Sequence, residues 1–366
     1  MNRNAEHFFA TGNTGRGVIN HYDSMFEELD YLYILKGVPG NGKSTVMKNI
    51  GEFMQKEGYH LQMVHSAFNP KSLDAIIIPE LGIGIADGSG PHVIEPKIPG
   101  ISGEYVNIGE ACNTDQLRLS KDLIAKLHNQ FFGCFNASTC SFSEALQLHD
   151  DLEHFYIQEL NIPAANQLSQ NMIQEIFPAH KLQEKAIIKH RFFGSATYNG
   201  PVDFLQSLTE HMRTRYFIKG RPGSGKSRLM KSIIEAAEKK GFDVEVYYCD
   251  FDPDSIDVII IPELSVAAFD STPPHEYFPE REGDQVIDTY SLLIQSGTDE
   301  KYEHQIKTTT ILFEAKIEEA TQHLKQAKKV YDELEAIYVA AVDFNKVKEM
   351  EQALLEKIMG LSNRRM

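Results

Sequence analysis

The chain has no tryptophan, only four cysteines in 366 residues, and fewer basic than acidic side chains. Each shortage excludes something. Cys112, Cys134, Cys140 and Cys249 form no C-x-x-C pair and are too few for a disulfide framework, so a reducing, cytoplasmic setting is expected. Lys and Arg number 36 against 52 Asp and Glu, a formal net charge of −16. That balance argues against a nucleic acid or an anionic membrane as partner, because phosphate surfaces draw clustered cations. No run approaches ~18 apolar residues, so no membrane span is expected. The opening MNRNAEHFFATGNTG holds no apolar signal-peptide core. Apolar residues still make up 42%, which is a globular composition with enough material for a core in either half.

What is present is a repeat. GVPGNGKS at Gly37–Ser44 returns as GRPGSGKS at Gly220–Ser227, 183 residues later. Aligned without a gap, Tyr31 to Leu81 and Thr214 to Leu264 are identical at 24 of 51 positions. The same alignment pairs Asp87 with Asp270 and Pro91-His92 with Pro274-His275, and Phe8-Phe9 through Gly17 resembles Phe192-Phe193 through Gly200 with one gap. Such self-similarity is the signature of a duplicated unit. The boundary is expected in PAHKLQEKAIIK, giving units 1–183 and 184–366.

Each half reads alike. A β-branched and aromatic strand, 31–35 (216–218), leads into the glycine-rich turn. A helix from Lys43 to Glu57 (Lys226 to Lys240) stops at Gly58 (Gly241). Strands follow at 60–65 (244–248), 75–78 (258–261) and 83–86 (266–269). Strand, helix, strand makes a parallel pair. The next two connections are too short for crossovers, so they imply two reversals. Asp87 and Asp270 would then lie at the phosphate-loop end of the sheet. The remainder is helical: 115–132, 142–160 and 163–177 within an insertion at about 113–177, and a hairpin at about 300–360. Phe313, Ile317, Ala320, Leu324, Ala327, Tyr331, Leu334, Tyr338 and Ala341 alternate spacings of four and three, a heptad seam of at least eight turns. The fold expected is α/β: two tandem P-loop NTPase-like domains from a gene duplication, with helical additions that pack on the sheets, meet a protein partner, or move with nucleotide.

The G-x-x-x-x-G-K-S string has a mechanism. Its glycines let successive amides face a polyphosphate, its lysine reaches the outer phosphates, and its serine holds Mg²⁺. The nucleotide-binding residues would be Gly37, Val38, Pro39, Gly40, Asn41, Gly42, Lys43, Ser44 and Thr45, with Gly220, Arg221, Pro222, Gly223, Ser224, Gly225, Lys226, Ser227 and Arg228 in the second loop. Ser44 and Ser227 would ligate the metal, joined by Asp87 and Asp270, each after a run of small apolar residues. Glu80 and Glu263, behind the Ile-Ile-Ile-Pro runs, are rivals for that place or water-activating groups. Asp74 and Asp257 read as turn formers. A neutral His92 or His275 would position water or sense the γ-phosphate. Arg221 is a solvated charge or a finger toward a phosphate across an interface. The turns 11–17 and 195–200 either contact base or ribose or are plain loops. No N-K-x-D guanine-reading motif and no L-S-G-G-Q signature occurs, so ATP is the default nucleotide.

On G-x-P-G-x-G-K-S, the Asp252–Leu264 block DPDSIDVIIIPEL and the Asp87–His92 block DGSGPH, nearly the whole chain resembles a bacterial family of tandem phosphate-loop proteins described as ATPases or nucleotide-kinase-like. The resemblance implies Mg²⁺-dependent ATP chemistry, with Lys43 and Lys226 stabilising phosphoryl charge. Two other readings stand beside ATP hydrolysis. One is transfer of the γ-phosphoryl to a small molecule or nucleotide. The other is a non-catalytic module whose nucleotide fixes shape for a partner.

Overall fold

The computed structural model describes residues 5–89, 93–179, 182 and 185–362. In the first half, β1 (Ala5–Phe9) precedes a tight hairpin, β2 (Thr11–Thr14) and β3 (Gly17–Asn20), and a short helix α1 (Tyr22–Phe26). Then come β4 (Tyr31–Lys36), α2 (Lys43–Lys56), β5 (Leu61–His65), β6 (Leu73–Ile78), β7 (Ile83–Asp87) and β8 (Gly103–Asn107). Helices α3 (Thr114–Leu119), α4 (Lys121–Ile157) and α5 (Ile162–Ile176) close it. The second half repeats the order: β9 (Ile188–Phe192), β10 (Gly194–Thr197), β11 (Gly200–Asp203), α6 (Leu205–Thr209), β12 (Thr214–Lys219) and α7 (Lys226–Lys240). It continues with β13 (Val244–Tyr248), β14 (Ile256–Ile261), β15 (Val266–Asp270), β16 (Asp284–Asp288), α8 (Thr289–Leu293), α9 (Thr298–Lys301), α10 (Glu303–Val339) and α11 (Phe344–Ser362).

Twelve strands form one mixed sheet in the order β16-β12-β15-β14-β13-β9-β1-β5-β6-β7-β4-β8. The order is a palindrome about the antiparallel β9–β1 contact, which is a single residue pair, Phe9 with Phe192. Registers recur too. Tyr31 pairs with Ile83 and Thr214 with Val266, in parallel. Gln62 pairs with Ile77 and Glu245 with Ile260, antiparallel, and both ladders slip after the next two pairs, at Val64/His65 and Tyr247/Tyr248. The two reversals expected from loop length are present, so β7 runs parallel to β4 and β15 parallel to β12. The β-branched residues Ile76–Ile78 and Ile259–Ile261 suit these central positions, being buried on both faces.

One sheet face carries a single apolar cluster that crosses the middle of the molecule. Phe8, Phe26 and Ile34 share it with Phe193, Phe217 and Phe269. Here α1 packs on β9 and α6 on β1, so each half covers the other's first strand. Arg191, almost wholly buried, spans the junction. Its guanidinium lies 3.0 Å from Glu245, 3.8 Å from Glu6 and over the Phe8 ring. A buried cation is tolerable only with such partners.

The opposite face has two clusters, and each is completed by helices of the other half. Val347, Leu354 and Ile358 of α11 join Val46, Met47 and Ile50 of α2. Met172 and Ile176 of α5 join Leu229, Met230 and Ile233 of α7. The two helices of 37 residues, α4 and α10, lie side by side and antiparallel: Leu127 packs with Leu334, Ser138 Oγ donates to the Ala320 carbonyl (3.0 Å), and Glu144 meets Lys316 (2.6 Å). The helical additions are thus exchanged between halves.

The first-half helices differ from the expected pieces. In place of helices at 115–132 and 142–160, α4 runs unbroken through GCFNASTCS at 133–141. Those residues read as a break because Gly, Asn, Ser and Thr favour turns. Packing overrides that preference: the buried Ser138, whose hydroxyl donates to the Ala320 carbonyl, lets α10 approach closely. Among the described residues no helix is long and apolar enough to cross a membrane.

Candidate functional site

Each glycine-rich string turns from the end of the β4 or β12 strand into a long helix. Gly42 (φ +92°) and Gly225 (φ +93°) occupy the left-handed region immediately before Lys43 and Lys226, a conformation a side chain would strain. Each turn therefore opens onto a helix N-terminus, where free amides and the helix dipole favour an anion.

The lysines fold over their own loops. Lys43 Nζ donates to the Val38 carbonyl (2.9 Å) and to Asn41 Oδ1 (3.1 Å), and lies 3.7 Å from Asp87 Oδ2. Lys226 Nζ donates to the Arg221 carbonyl (2.8 Å) and lies 3.5 Å from Asp270 Oδ2. Burial pulls the Lys43 ammonium below its ordinary pKa, while the Asp87 carboxylate opposes that shift. The other oxygen of each aspartate is held by its own turn: the Ser89 amide donates to Asp87 Oδ1 (2.9 Å), and Thr272 Oγ1 to Asp270 Oδ1 (2.7 Å). The serines after the lysines accept from neighbouring strands, Ser44 Oγ from the Leu73 amide (2.9 Å) and Ser227 Oγ from the Ile256 amide (3.2 Å). Asn41 Nδ2 is buried in the first loop without a partner. Ser224, its counterpart, is satisfied by the Arg221 carbonyl and Thr289.

Two acids expected in turns belong beside these groups. Asp74 and Asp257 lie within β6 and β14. Ala75 pairs with Ala86 and Val258 with Phe269. The next residues along those ladders are Asp74 opposite Asp87 and Asp257 opposite Asp270, so each half sets two carboxylates on one face. Burial, and then the facing Asp87, push the Asp74 carboxyl up to about 7. Burial and Asp270 do the same to Asp257, also to about 7. Recurrence at the 183-residue spacing was the signal available for them. A hydroxyl and two carboxylates per half are hard oxygen donors of the kind Mg²⁺ takes.

The raised carboxyls predict a pH dependence. The folded state binds these protons more tightly than the unfolded chain, so stability falls as pH rises from about 4 through about 7. The double substitution Asp74→Asn and Asp257→Asn should raise Tm over the wild type at pH 8 without metal, with the advantage reduced to less than half at pH 5 and vanishing below about pH 4. Each tenfold difference in proton affinity between folded and unfolded chain is about 1.4 kcal/mol, so the gain is on the order of a few kcal/mol for each carboxyl. Calorimetric scans at pH 5, 6.5 and 8 check this; parallel pH slopes for variant and wild type would refute it.

Other expected residues lie elsewhere. Glu80 and Glu263 sit in single 3₁₀ turns, Pro79–Leu81 and Pro262–Leu264, at the far ends of β6 and β14. A strand of six residues separates them from the loops by roughly 17 Å. There they are exposed and accept from the His60 amide (3.0 Å) and the Asp243 amide (2.9 Å), so neither can ligate a metal or activate water at the loops. His275 is not a neutral ring. Its Nδ1 meets Asp203 at 2.7 Å and its Nε2 lies 3.8 Å from Asp250. Burial lowers its pKa, but the two carboxylates outweigh burial and hold it up to about 10. Its partners tie the β11 end to the turn after β15; they are not loop residues. His92 lies outside the described residues. Arg221 does not point at the other glycine-rich loop: it pairs with Asp299 (3.0 Å) and lies over the Tyr290 ring. Thr45 is exposed, and Arg228 binds Asn166 of α5 (3.1 Å). The turns at 11–17 and 195–200 are the β2–β3 and β10–β11 hairpins; Asn13 of the first donates to the Ala196 carbonyl of the second (2.9 Å).

A family model described as Nephrocystin 3, N-terminal, matches residues 202–258, a segment that contains the second glycine-rich loop, α7 and β13. No curated protein matches the chain, and no solved structure does.

Proposed function

We propose that the chain is a duplicated phosphate-loop protein of two P-loop NTPase-like units that binds ATP with Mg²⁺ and hydrolyses it slowly, coupling occupancy to its long helices. One observation carries the reading. In both halves a glycine-turned loop at a helix N-terminus holds a lysine ammonium within 4 Å of a strand-end aspartate, 3.7 Å for Lys43 and 3.5 Å for Lys226. Amides of residues 40–44 and 223–227 would take the phosphate oxygens, and Lys43 and Lys226 would move from loop carbonyls to the terminal phosphates. Ser44 with Asp74 and Asp87, and Ser227 with Asp257 and Asp270, are the groups that would hold Mg²⁺, whose charge would neutralise the polyphosphate. ATP is preferred over GTP because the chain lacks N-K-x-D; Asn345-Lys346-Val347-Lys348 ends in lysine and lies in α11.

Calorimetric titration with Mg-ATP, Mg-GTP and metal-free ATP, followed by phosphate-release assays, tests the reading. Saturable heat with Mg-ATP and slow phosphate release are expected. Absence of heat with every nucleotide would overturn it. Binding without release would move the protein to a non-catalytic module, and release that climbs steeply with an added acceptor would make it a kinase.

A further inference from the structure

The tips of the two loops are covered by the same short string. Asp150-Asp151-Leu152-Glu153-His154-Phe155-Tyr156-Ile157 in α4 and Asp332-Glu333-Leu334-Glu335-Ala336-Ile337-Tyr338-Val339 in α10 share Asp, Leu, Glu and Tyr and end on a branched aliphatic residue. Each string lies on the loop of the opposite half. A Cβ on Gly40 would stand 2.7 Å from Glu335 Cγ and 2.7 Å from Val339 Cγ2. A Cβ on Gly223 would stand 2.5 Å from the Glu153 backbone oxygen and 3.0 Å from Ile157 Cγ1. Both glycines have left-handed φ, +67° and +69°. No side chain fits between loop and helix, so the helix ends form one wall of each loop.

The leucine of each string anchors its helix, since Leu152 and Leu334 are buried. The glutamate is a different matter. Glu335 sets its side chain against Gly40, whereas at Gly223 the touching group is the Glu153 backbone, and the Glu153 carboxylate lies beside His149 and Asp150. Glu335 lies within electrostatic reach of Lys43, and burial raises its carboxyl while Lys328 and Lys43 draw it down. The Glu335 carboxylate therefore stands beside the tip of the loop that carries Lys43.

We propose that the two loops are composite sites, with Glu335 serving the loop of Lys43 and its counterpart in the shared string, Glu153, serving the loop of Lys226, each as a catalytic residue that orients the attacking water and accepts its proton. This rests on the ATP-hydrolysis reading. In the step it supports, the water oxygen bonds to the γ-phosphorus, the bond to the β–γ bridging oxygen breaks, and ADP leaves with that electron pair. The proton lost by the water passes through the carboxylate to the released phosphate.

Composite sites produce a crossed pattern that no same-half role can. With Lys43→Ala silencing the first loop, E153Q should reduce the remaining turnover at least tenfold, whereas E335Q should change it less than twofold. With Lys226→Ala the roles reverse. Gln keeps the length and apolar stem, so a purely packing role would leave kcat untouched; KM for Mg-ATP should not rise. Circular-dichroism melts of the four double variants establish equal folding. A same-half pattern, or kcat unaltered by either Gln, overturns the proposal. Mg-ATP binding without any turnover overturns it while leaving nucleotide binding intact; no binding at all sinks the underlying reading first.

Discussion

Alanine in place of both Lys43 and Lys226 is expected to abolish Mg-ATP turnover, and each single replacement to remove only the turnover of its own loop. The reason is where the ammonium groups stand. Each is held by a loop carbonyl and faces a strand-end aspartate, so a short swing would bring it onto a polyphosphate bound at the loop. A charge brought against developing phosphoryl charge typically contributes about 10²- to 10³-fold in kcat, so the double variant should retain less than roughly 1% of the rate. The two singles are not equivalent structurally. Lys43 is the more buried, and its loss leaves the Val38 carbonyl and Asn41 Oδ1 without their donor. An unsatisfied buried acceptor costs about 1–3 kcal/mol, so Lys43→Ala should lower Tm more than Lys226→Ala. Phosphate release with melting curves on the same samples separates the effects. Full turnover in both single variants and in the double would refute the assignment.

The legible parts of this fold are those whose causes are local. Gly-x-Gly-Lys-Ser before a helix and after a β-branched strand states its backbone path, because the left-handed positions, Gly40 and Gly42 in one loop and Gly223 and Gly225 in the other, all fall on glycine. Short connections fixed the two reversals, and the reversals brought Asp87 and Asp270 to the loops. What failed depends on partners far away in sequence. GCFNASTCS looks like a break until α10 lies against it, and the heptad seam of α10 names an apolar stripe without naming α4 as its cover. Glu80 and Glu263 looked functional because each follows an apolar run, but a reversed strand puts its C-terminal end at the wrong edge of the sheet. The same reversal brings the start of that strand, Asp74 or Asp257, to the right one. His275 shows a third kind of failure: its recurrence hinted at chemistry, whereas its charge state is set by Asp203 and Asp250, which no spacing announces.

Cut between residues 183 and 184, neither half is expected to fold alone, although each carries a complete loop, strand set and helix order. The first half lacks α11, whose Val347, Leu354 and Ile358 are at most 5% exposed against α2. The second lacks α5, whose Met172 and Ile176 cover α7. Burying one such side chain contributes ~1.5–3 kcal/mol, and two or three of them approach the ~5–15 kcal/mol by which a whole domain is stable. Each fragment would also lose the partner of its 37-residue helix, leaving α4 or α10 with an uncovered stripe, and would expose the first-strand edge of its sheet to solvent at Phe9 or Phe192. The repeat alone would suggest two independent units; the exchange of helices makes them one cooperative body. Fragments 1–183 and 184–366 expressed separately should therefore be aggregated or lack a cooperative melt, while co-expression should recover a one-to-one complex with the circular-dichroism spectrum of the intact chain. A soluble, cooperatively melting single fragment would show that α5 and α11 are dispensable covers and that each half is an independent unit.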